Sequence, residues 1–173
     1  YKNQPNVMLW NLTRFAETLL PLLDKNIDKS IKKAEEMLGE FATLYESNWI
    51  SNMCLKLGIE NHKKTDKILI EDFLNLLHNQ QLDFNNSFYS LSFFLENDDN
   101  KTETSSKNFQ ILSKIKSSDW YHKWRDRLSF ENKNNKDIIK IILKNNPSII
   151  PRNHLVEKIL NKVIETNDRK ILT

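Results

Sequence analysis

Apolar residues recur along most of this chain at intervals of three to five positions, and polar residues fill the positions between them. This spacing is typical of one face of an α-helix, whereas half-buried strands alternate with a period of two. The chain has only two glycines and no Asn-Gly or Gly-rich turn between apolar runs, and such turns are the usual signal of a hairpin. The pattern therefore predicts an all-α fold.

Two helices are predicted in the first third. The first runs from about Asn6 to Leu20, and Pro21 is expected to disturb its end. Its core-facing stripe is Val7, Leu12, Phe15, Ala16, Leu19 and Leu23. The second is a long helix from Ile27 to Leu57, ended by Gly58 in the left-handed conformation of many helix termini. Gly39 inside this helix suggests that a neighbouring element packs closely there, since Gly costs about 1 kcal/mol relative to Ala.

Two more helices are predicted in the middle of the chain. One covers about Asp66 to Gln80, and a second is capped by Asp83, a residue type that accepts hydrogen bonds from a first helical turn. Their inward faces are expected to hold Ile68, Leu69, Phe73, Leu76 and Leu77, and then Phe84, Phe88, Leu91 and Leu95. The run from Asn97 to Ser106 has no apolar residue, so residues 97–106 are expected to form a mobile loop.

Four helices are predicted in the last third. They cover about Asn108–Ile115, Trp120–Phe130 after a cap at Ser118 or Asp119, Asp137–Lys144, and a final helix capped by Asn153. The helix Asp137–Lys144 is so rich in Ile and Leu that we expect it to be buried on most sides. The final helix is expected to face inward through Leu155, Ile159, Leu160 and Val163.

Composition narrows the classes of function. The chain carries 26 Lys and Arg against 23 Asp and Glu, a net charge of +3, and the mixed signs argue against strong attraction to nucleic acid or anionic lipid. Its single Cys54 excludes an intrachain disulfide and a cysteine-based metal cluster. No run of 18 apolar residues occurs, so no membrane span is predicted. A chain of 173 residues has the size of one domain, and we expect residues 1–173 to form a single helical domain.

No residue carries a strong catalytic or ligand-binding signature. Neither glycine belongs to a phosphate-binding loop, and Asp98 and Asp99 lie in a polar run without the hydrophobic walls that support a magnesium site. Cys54 is interpreted as core filling. The histidines lack the spacing of a zinc site; they are His62, His78, His122 and His154. We therefore expect no catalytic, cofactor-binding or metal-ligating residue in this chain.

The segment Trp120–Phe130 admits two interpretations. It mixes aromatic residues with basic ones such as Lys123, a combination that can stack on bases and contact phosphates. On a helix, however, Trp120, Trp124 and Leu128 form one stripe while the charged residues fall elsewhere. A core stripe with a charged outer face is the favoured interpretation, and nucleic-acid binding is the lesser alternative.

Five groups of residues act as landmarks along the chain. They are Asn3, Gln4, Pro5 with Trp10, Asn11, Leu12; Leu55, Lys56, Leu57, Gly58, Ile59; Asp83, Phe84, Phe88, Leu91; Trp120, Trp124, Arg127, Leu128; and Asn146, Pro147, Ile150, Arg152, Asn153. In type and order they resemble the SelO family, also called YdiU or UPF0061, from Tyr1 to about Leu172. The chain departs from the family at Pro151, where an apolar residue is usual, in a longer polar run from Glu96 to Lys107, and in having no Cys near its end.

The resemblance implies a parent protein of protein-kinase-like fold that transfers AMP from ATP to Ser, Thr or Tyr hydroxyls of protein substrates, using Mg²⁺ or Mn²⁺. It equates this chain with the helical C-lobe and C-terminal extension of that fold. Because the chain opens at Tyr1 rather than at a Met, we expect a fragment whose reacting residues lie upstream. Helix one would then pack under the active site, and the fragment alone is expected to be inactive and to bind neither ATP nor metal.

The same resemblance implies that the parent binds protein substrates. From charge and hydropathy we expect no nucleic-acid or membrane partner, and the sequence does not specify an oligomeric state. The alternative is a non-enzymatic helical protein-interaction module, which would be favoured if the native reading frame began near Tyr1. The preceding genomic sequence discriminates between the two, since the family interpretation requires an Asp-[Tyr/Phe]-Gly stretch and a Gly-rich nucleotide loop upstream.

Overall fold

The computed structural model describes residues 3–96, 106–148, 151 and 153–166, and their regular structure is helical throughout, without a strand. This confirms the all-α prediction. The helices are α1 (Gln4–Leu23), α2 (Ile27–Gly39), α3 (Phe41–Lys56), α4 (Asp66–Asn79), α5 (Phe84–Ser90), a 3₁₀ turn (Leu91–Leu95), α6 (Ser106–Lys116), α7 (Asp119–Ser129), α8 (Asn135–Asn145) and α9 (Asn153–Thr166).

A hydrophobic core joins the second half of α3 to α4, α5, the 3₁₀ turn, α6, α7 and α8. Phe73 lies at its centre: its ring stacks on Trp120 with the centroids 4.0 Å apart and meets the Phe88 ring edge-on at 4.9 Å. Each such aromatic pair adds about 0.5–1.5 kcal/mol beyond the burial of its area. The largest fully buried side chains include Trp124, Phe73, Phe88, Leu57, Ile59 and Ile70.

Gly58 ends α3 as the sequence predicts. Its φ is +80°, its N–H donates to the Leu55 carbonyl at 3.1 Å, and the Ile59 N–H donates to the Cys54 carbonyl at 2.9 Å. This pair of hydrogen bonds is the Schellman arrangement, which satisfies carbonyls that the end of a helix leaves without partners. The turn carries Ile59 back into the core.

The long helix predicted from Ile27 to Leu57 is wrong, because α2 ends at Gly39 and α3 begins at Phe41. The predicted packing role of Gly39 is also wrong, since a Cβ placed on it would meet nothing within 4 Å. Gly39 instead lowers the helix propensity at the point where the chain turns. The apolar stripe continues across this break, so the pattern did not reveal it.

The core-facing stripe predicted for the first helix holds only in part. Helix α1 is longer than predicted, continues through Pro21, and has no buried residue. Val7 and Phe15 are 55% and 60% exposed. The other residues of the stripe, Leu12, Ala16, Leu19 and Leu23, are half-buried, so the described residues cover the stripe incompletely.

Other inward-facing predictions hold only in part. In α4, Ile68 is exposed while Ile70 is buried, and in the next helix Phe84 is exposed. Helix α8 is not buried on most sides: Ile138 and Ile142 are buried and Leu143 is exposed. The inward face predicted for α9 is wrong for Leu155, Ile159 and Leu160, which are all exposed, while Val163 is half-buried.

The predicted helix starts are partly confirmed. The Asp83 carboxylate caps α5 by accepting a hydrogen bond from the Asn86 N–H at 2.9 Å. Ser118 precedes α7, but its hydroxyl donates to the Ile115 carbonyl instead of capping. Asn153 is the first residue of α9 rather than a cap before it. The loop predicted at 97–106 lies outside the described residues, apart from Ser106, which begins α6.

Candidate functional site

The residues weighed as possible ligands or nucleophiles are not gathered in one place. Within the described residues, no three or more His, Cys, Asp or Glu are grouped so that they could hold a metal ion. The four histidines are exposed. Cys54 is fully buried, and burial raises the pKa of its thiol to about 12, so it remains protonated and inert at neutral pH. Asp98 and Asp99 lie outside the described residues.

The two tryptophans of α7 fasten that helix to its neighbours. The Trp120 indole N–H donates to the Leu69 carbonyl of α4 at 2.8 Å, and the Trp124 N–H donates to the Leu57 carbonyl at 2.9 Å. The two rings stack with their centroids 5.7 Å apart, and both are buried. Neither indole ring is open for stacking on a nucleic-acid base. This confirms the interpretation of the segment as a core stripe.

Arg127, one turn further along α7, forms a fork-to-fork ion pair with Asp66 at the start of α4. Its Nε lies 2.7 Å from Oδ1, and its Nη2 lies 3.0 Å from Oδ2. Nη2 also donates to the Asn61 carbonyl at 2.9 Å, while Asp66 Oδ2 accepts from the Lys63 N–H at 2.7 Å. Two parallel charge-assisted hydrogen bonds of this kind fix orientation as well as distance. The pair holds the loop before α4 against α7.

Glu131 completes this network, which we call the Arg127 cluster: Arg127, Asp66, Glu131 and Asn61. Its Oε1 accepts from Arg127 Nη1 at 2.8 Å, and its Oε2 accepts from the backbone N–H groups of Glu60 and Asn61 at 3.1 and 3.0 Å. Burial alone would raise the pKa of the Glu131 carboxyl, but the hydrogen bonds from Asn61, Arg127 and Glu60 outweigh it, and the pKa is lowered. The buried carboxylate therefore remains ionised and paired.

Asn146 ties the end of α8 to the end of α3. Its amide Nδ2 donates to the carbonyls of Lys56 and Ile142, both at 2.9 Å. The Lys56 ammonium in turn donates to the Asn145 carbonyl at 3.0 Å, and burial lowers the pKa of that ammonium. A cation near the last carbonyls of two helices is favourable because helix C-termini carry partial negative charge. Asn146 therefore holds the ends of these two helices together.

These contacts explain four of the five landmark groups found in the sequence. Gly58, Asp83, the residues Trp120 to Leu128, and Asn146 each end a helix, cap one or bind one helix to another. The partners of Arg127 were not predicted from the sequence. The spacing of Arg127 and Glu131 by four positions was a signal available on the helix, but nothing in the pattern indicated Asp66 or Asn61, which are 61 and 66 residues away.

A different feature lies at the opposite end of the described chain, where α1, α2 and the start of α3 form an open groove. We call it the α1–α2–α3 groove. It has a volume of about 320 Å³ and an entirely apolar lining of Leu12, Phe15, Ala16, Leu19, Leu23, Ala34, Met37, Leu38, Phe41 and Leu44. No charged side chain contributes to the lining.

The walls of this groove are exposed to an unusual degree. Phe15, Met37 and Leu44 are 60%, 71% and 56% exposed, while Ala34 at its base is buried. Charges lie beside the groove rather than in it, as in the ion pair between Lys33 and Asp24 at 2.8 Å. Large contiguous apolar patches rimmed by polar groups mark surfaces that other protein segments cover. The groove is therefore the candidate functional surface of this chain.

The described residues thus form an all-helical body held together by internal hydrogen bonds and ion pairs, with an open apolar groove beside it. Comparison with known proteins assigns its family. The SelO family, described as protein adenylyltransferase SelO, matches residues 1–173, so the chain belongs to the SelO family. The resemblance noted from the landmarks is thereby confirmed.

Individual relatives agree with this assignment. The chain is similar to protein nucleotidyltransferase YdiU of Clostridium botulinum, with 40% identity over 172 residues that cover 99% of this chain and 33% of that protein. It is similar to the protein of the same name from Clostridium perfringens, with 41% identity over 160 residues that cover 92% of this chain and 31% of that protein. The chain spans about a third of the length of these relatives.

None of the helices in the described part of the chain is both long enough and apolar enough to cross a bilayer.

Proposed function

We propose that this chain is the helical support of a SelO-type protein adenylyltransferase, in the position of the C-lobe and C-terminal extension of a kinase-like fold. The complete protein transfers AMP from ATP to hydroxyl groups of protein substrates and uses Mg²⁺ or Mn²⁺. The part described here positions the reacting groups, which lie elsewhere in the protein, and performs no transfer by itself. Preorganised supports of this kind hold catalytic groups in productive geometry.

The observation that carries this proposal is the family match over residues 1–173, combined with the roles of the landmark residues. Trp120, Trp124 and Arg127 all make internal contacts and so are committed to holding helices together. A support would be expected to use its characteristic residues in this way. The same family match gives no support to a non-enzymatic interaction module.

The residues described here do not fit an ATP–metal site. Phosphate binding usually needs backbone N–H groups in a glycine-rich loop, yet Gly58 closes a helix against Ile138 and Ile142. A magnesium ion needs converging carboxylates, whereas Asp66 and Glu131 are both engaged by Arg127. No step of the reaction is therefore assigned to these residues.

Nucleotide transfer can be measured directly. The 173-residue chain and the complete SelO-family protein that contains it are each incubated with α-labelled ATP, Mg²⁺ or Mn²⁺, and a protein acceptor. We expect label on the acceptor only with the complete protein, and chelation of the metal by EDTA should abolish it. Transfer by the chain alone would contradict the role of a support. If the complete protein, with its active site intact, transferred no label, the proposed activity would be contradicted.

A further inference from the structure

We propose that the α1–α2–α3 groove is the surface on which the rest of the SelO-family protein docks, and that its occupant is an apolar segment of that same polypeptide. This inference rests on the proposed function and extends it, because it names the surface through which the support joins the remainder. Neither the family description nor the names of the relatives assign a role to this groove.

The helices themselves argue that the groove is an interior surface. Helix α1 has 20 residues, many of them large and apolar, and none is buried. Its apolar residues recur at helical intervals, which is the pattern of a helix with a covered face. Phe15 of α1 and Met37 of α2 both line the groove, and each has more than half of its surface in contact with water. Removing such side chains from water is favourable, so a segment that covers them would be held by the hydrophobic effect.

The length of the relatives supports an occupant from the same polypeptide. The Clostridium botulinum relative contains a segment that is 40% identical to nearly all of this chain. About two thirds of that relative lies outside the matching segment. That additional polypeptide is always present at high effective concentration, because it is covalently joined to the same helices. The purely apolar lining of the groove fits the interior face of a folded neighbour and offers no charge to select an acidic or basic peptide.

Two of the three methionines of the chain can report on the accessibility of this surface. Met37 lines the groove and is 71% exposed, whereas Met53 lies in the core and is 6% exposed. Methionine oxidation by dilute hydrogen peroxide follows side-chain accessibility, and peptide mass spectrometry resolves the two sites. In the 173-residue chain we expect rapid oxidation of Met37 and slow oxidation of Met53. In the complete protein we expect the oxidation rate of Met37 to fall by roughly tenfold or more.

A pair of matched variants tests whether protection comes from docking at the groove. Phe15→Glu places a charge in the groove, and Ile68→Glu places one on α4 at a residue of nearly equal exposure, 64% against 60%, outside the lining. In the complete protein, Phe15→Glu should restore the rapid oxidation of Met37, and Ile68→Glu should leave it slow. Rapid oxidation of Met37 in the unaltered complete protein, or its continued protection in the Phe15→Glu variant, would overturn the proposal.

Self-association is distinguished by dilution. If a second copy of the chain covered the groove, Met37 of the 173-residue chain would be protected at high concentration and would become reactive as the chain is diluted; that result would also overturn the proposal. The labelled-ATP assay remains independent. Nucleotide transfer with an unprotected Met37 would defeat this inference alone, and a protected Met37 without transfer would defeat the proposed function alone.

Discussion

Gly58 and Gly39 occupy opposite situations, and the difference predicts mutations of opposite sign. At Gly58 the φ of +80° is unfavourable for a residue with a Cβ, and that Cβ would lie 2.7 Å from Cγ2 of Ile138. The left-handed conformation costs about 1 kcal/mol and overpacking about 1–3 kcal/mol. We expect Gly58→Ala to lower the free energy of unfolding by about 2–4 kcal/mol, as measured by urea denaturation followed by tryptophan fluorescence.

Gly39→Ala is the matched control for this prediction. A Cβ at Gly39 meets nothing within 4 Å, and Ala has a higher helix propensity than Gly by about 1 kcal/mol. The substitution should therefore leave stability unchanged or raise it by up to about 1 kcal/mol. Equal destabilisation by the two substitutions would contradict the assignment of Gly58 to a tightly packed helix end.

The Arg127 cluster predicts a large loss for the removal of a single side chain. Arg127→Ala would leave Asp66 and Glu131 as buried, unpaired charges, since their side chains are 3% and 0% exposed. Breaking a buried pair in this way typically costs about 3–5 kcal/mol. We expect a loss of that size in the free energy of unfolding, measured by urea denaturation. Arg127→Lys should retain part of the stability, because it keeps the charge but loses the two-pronged geometry.

The control for Arg127 is Lys123 on the same helix. Its ammonium lies 3.2 Å from Asp72, but both side chains are well exposed. Exposed pairs contribute about 0–1 kcal/mol, so Lys123→Ala should be nearly neutral. If the two alanine substitutions had similar effects, the Arg127 cluster would be an ordinary surface network.

Glu131 also predicts how stability depends on pH. The pKa of its carboxyl is lowered in the folded chain from an ordinary value of 4.5, so the folded state favours the ionised form. Its contribution is therefore complete above about pH 4.5 and is lost as the pH falls through the lower folded-state pKa. We expect the unaltered chain to lose stability between pH 5 and pH 3 more steeply than Glu131→Gln, measured by thermal denaturation at a series of pH values. Parallel slopes would show that Glu131 is not part of the titration.

At the scale of single residues, the sequence predicted positions better than partners. Gly58 as a helix end and Asp83 as a cap were predicted correctly because each depends on neighbours in sequence. The hydrogen bond from Asn146 to the Lys56 carbonyl joins residues 90 positions apart, and the ion pair between Arg127 and Asp66 joins residues 61 positions apart. Side-chain chemistry shows that such groups need partners, but only the fold shows which partners they find.

Among the elements, α9 is the least connected to the core, and this predicts that its removal is tolerated. No residue of α9 is buried, and none belongs to the hydrophobic core. A chain ending at Ser148 should therefore unfold at nearly the same urea concentration as the 173-residue chain. We expect the free energies of unfolding of the two chains to differ by less than about 1 kcal/mol. By comparison, Ile142→Ala in α8 removes a fully buried side chain and should cost about 2–5 kcal/mol.

A large loss on removal of α9 would mean that its apolar stripe is covered in solution. The stripe of Leu155, Ile159 and Leu160 shows why helical periodicity predicts the shape of an element but not its burial. Periodicity depends on local sequence, whereas burial depends on what lies opposite. Helices α1 and α9 have stripes as regular as that of α7, yet only the stripe of α7 is buried by other parts of the described chain.

The whole molecule divides into regions of unequal burial. The core residues run from Met53 to Ile142, and α1 contributes none of them. Helix α1 packs chiefly on α2 and to a smaller extent on α3. The all-α class was predictable because it needs only local periodicity, while this division was not. The hydrophobic pattern of a helix is the same whether its apolar face is covered by neighbouring helices of the same segment or by another part of a larger protein.

This division predicts a hierarchy of amide hydrogen exchange in the 173-residue chain. Amides exchange from open states whose free energy rises with the buried surface that opening exposes. Opening α1 uncovers small buried side chains of α2 such as Ala34, whereas opening α7 breaks the indole hydrogen bonds of Trp120 and Trp124 and uncovers the core. Exchange followed by mass spectrometry should therefore be faster in α1 than in α7 by about 100-fold or more.

Urea should accelerate exchange in α7 much more than in α1, since the larger opening exposes more surface. Equal rates and equal urea dependence would show that α1 opens only with the core, and the groove beside it would then be a rigid surface even in the isolated chain.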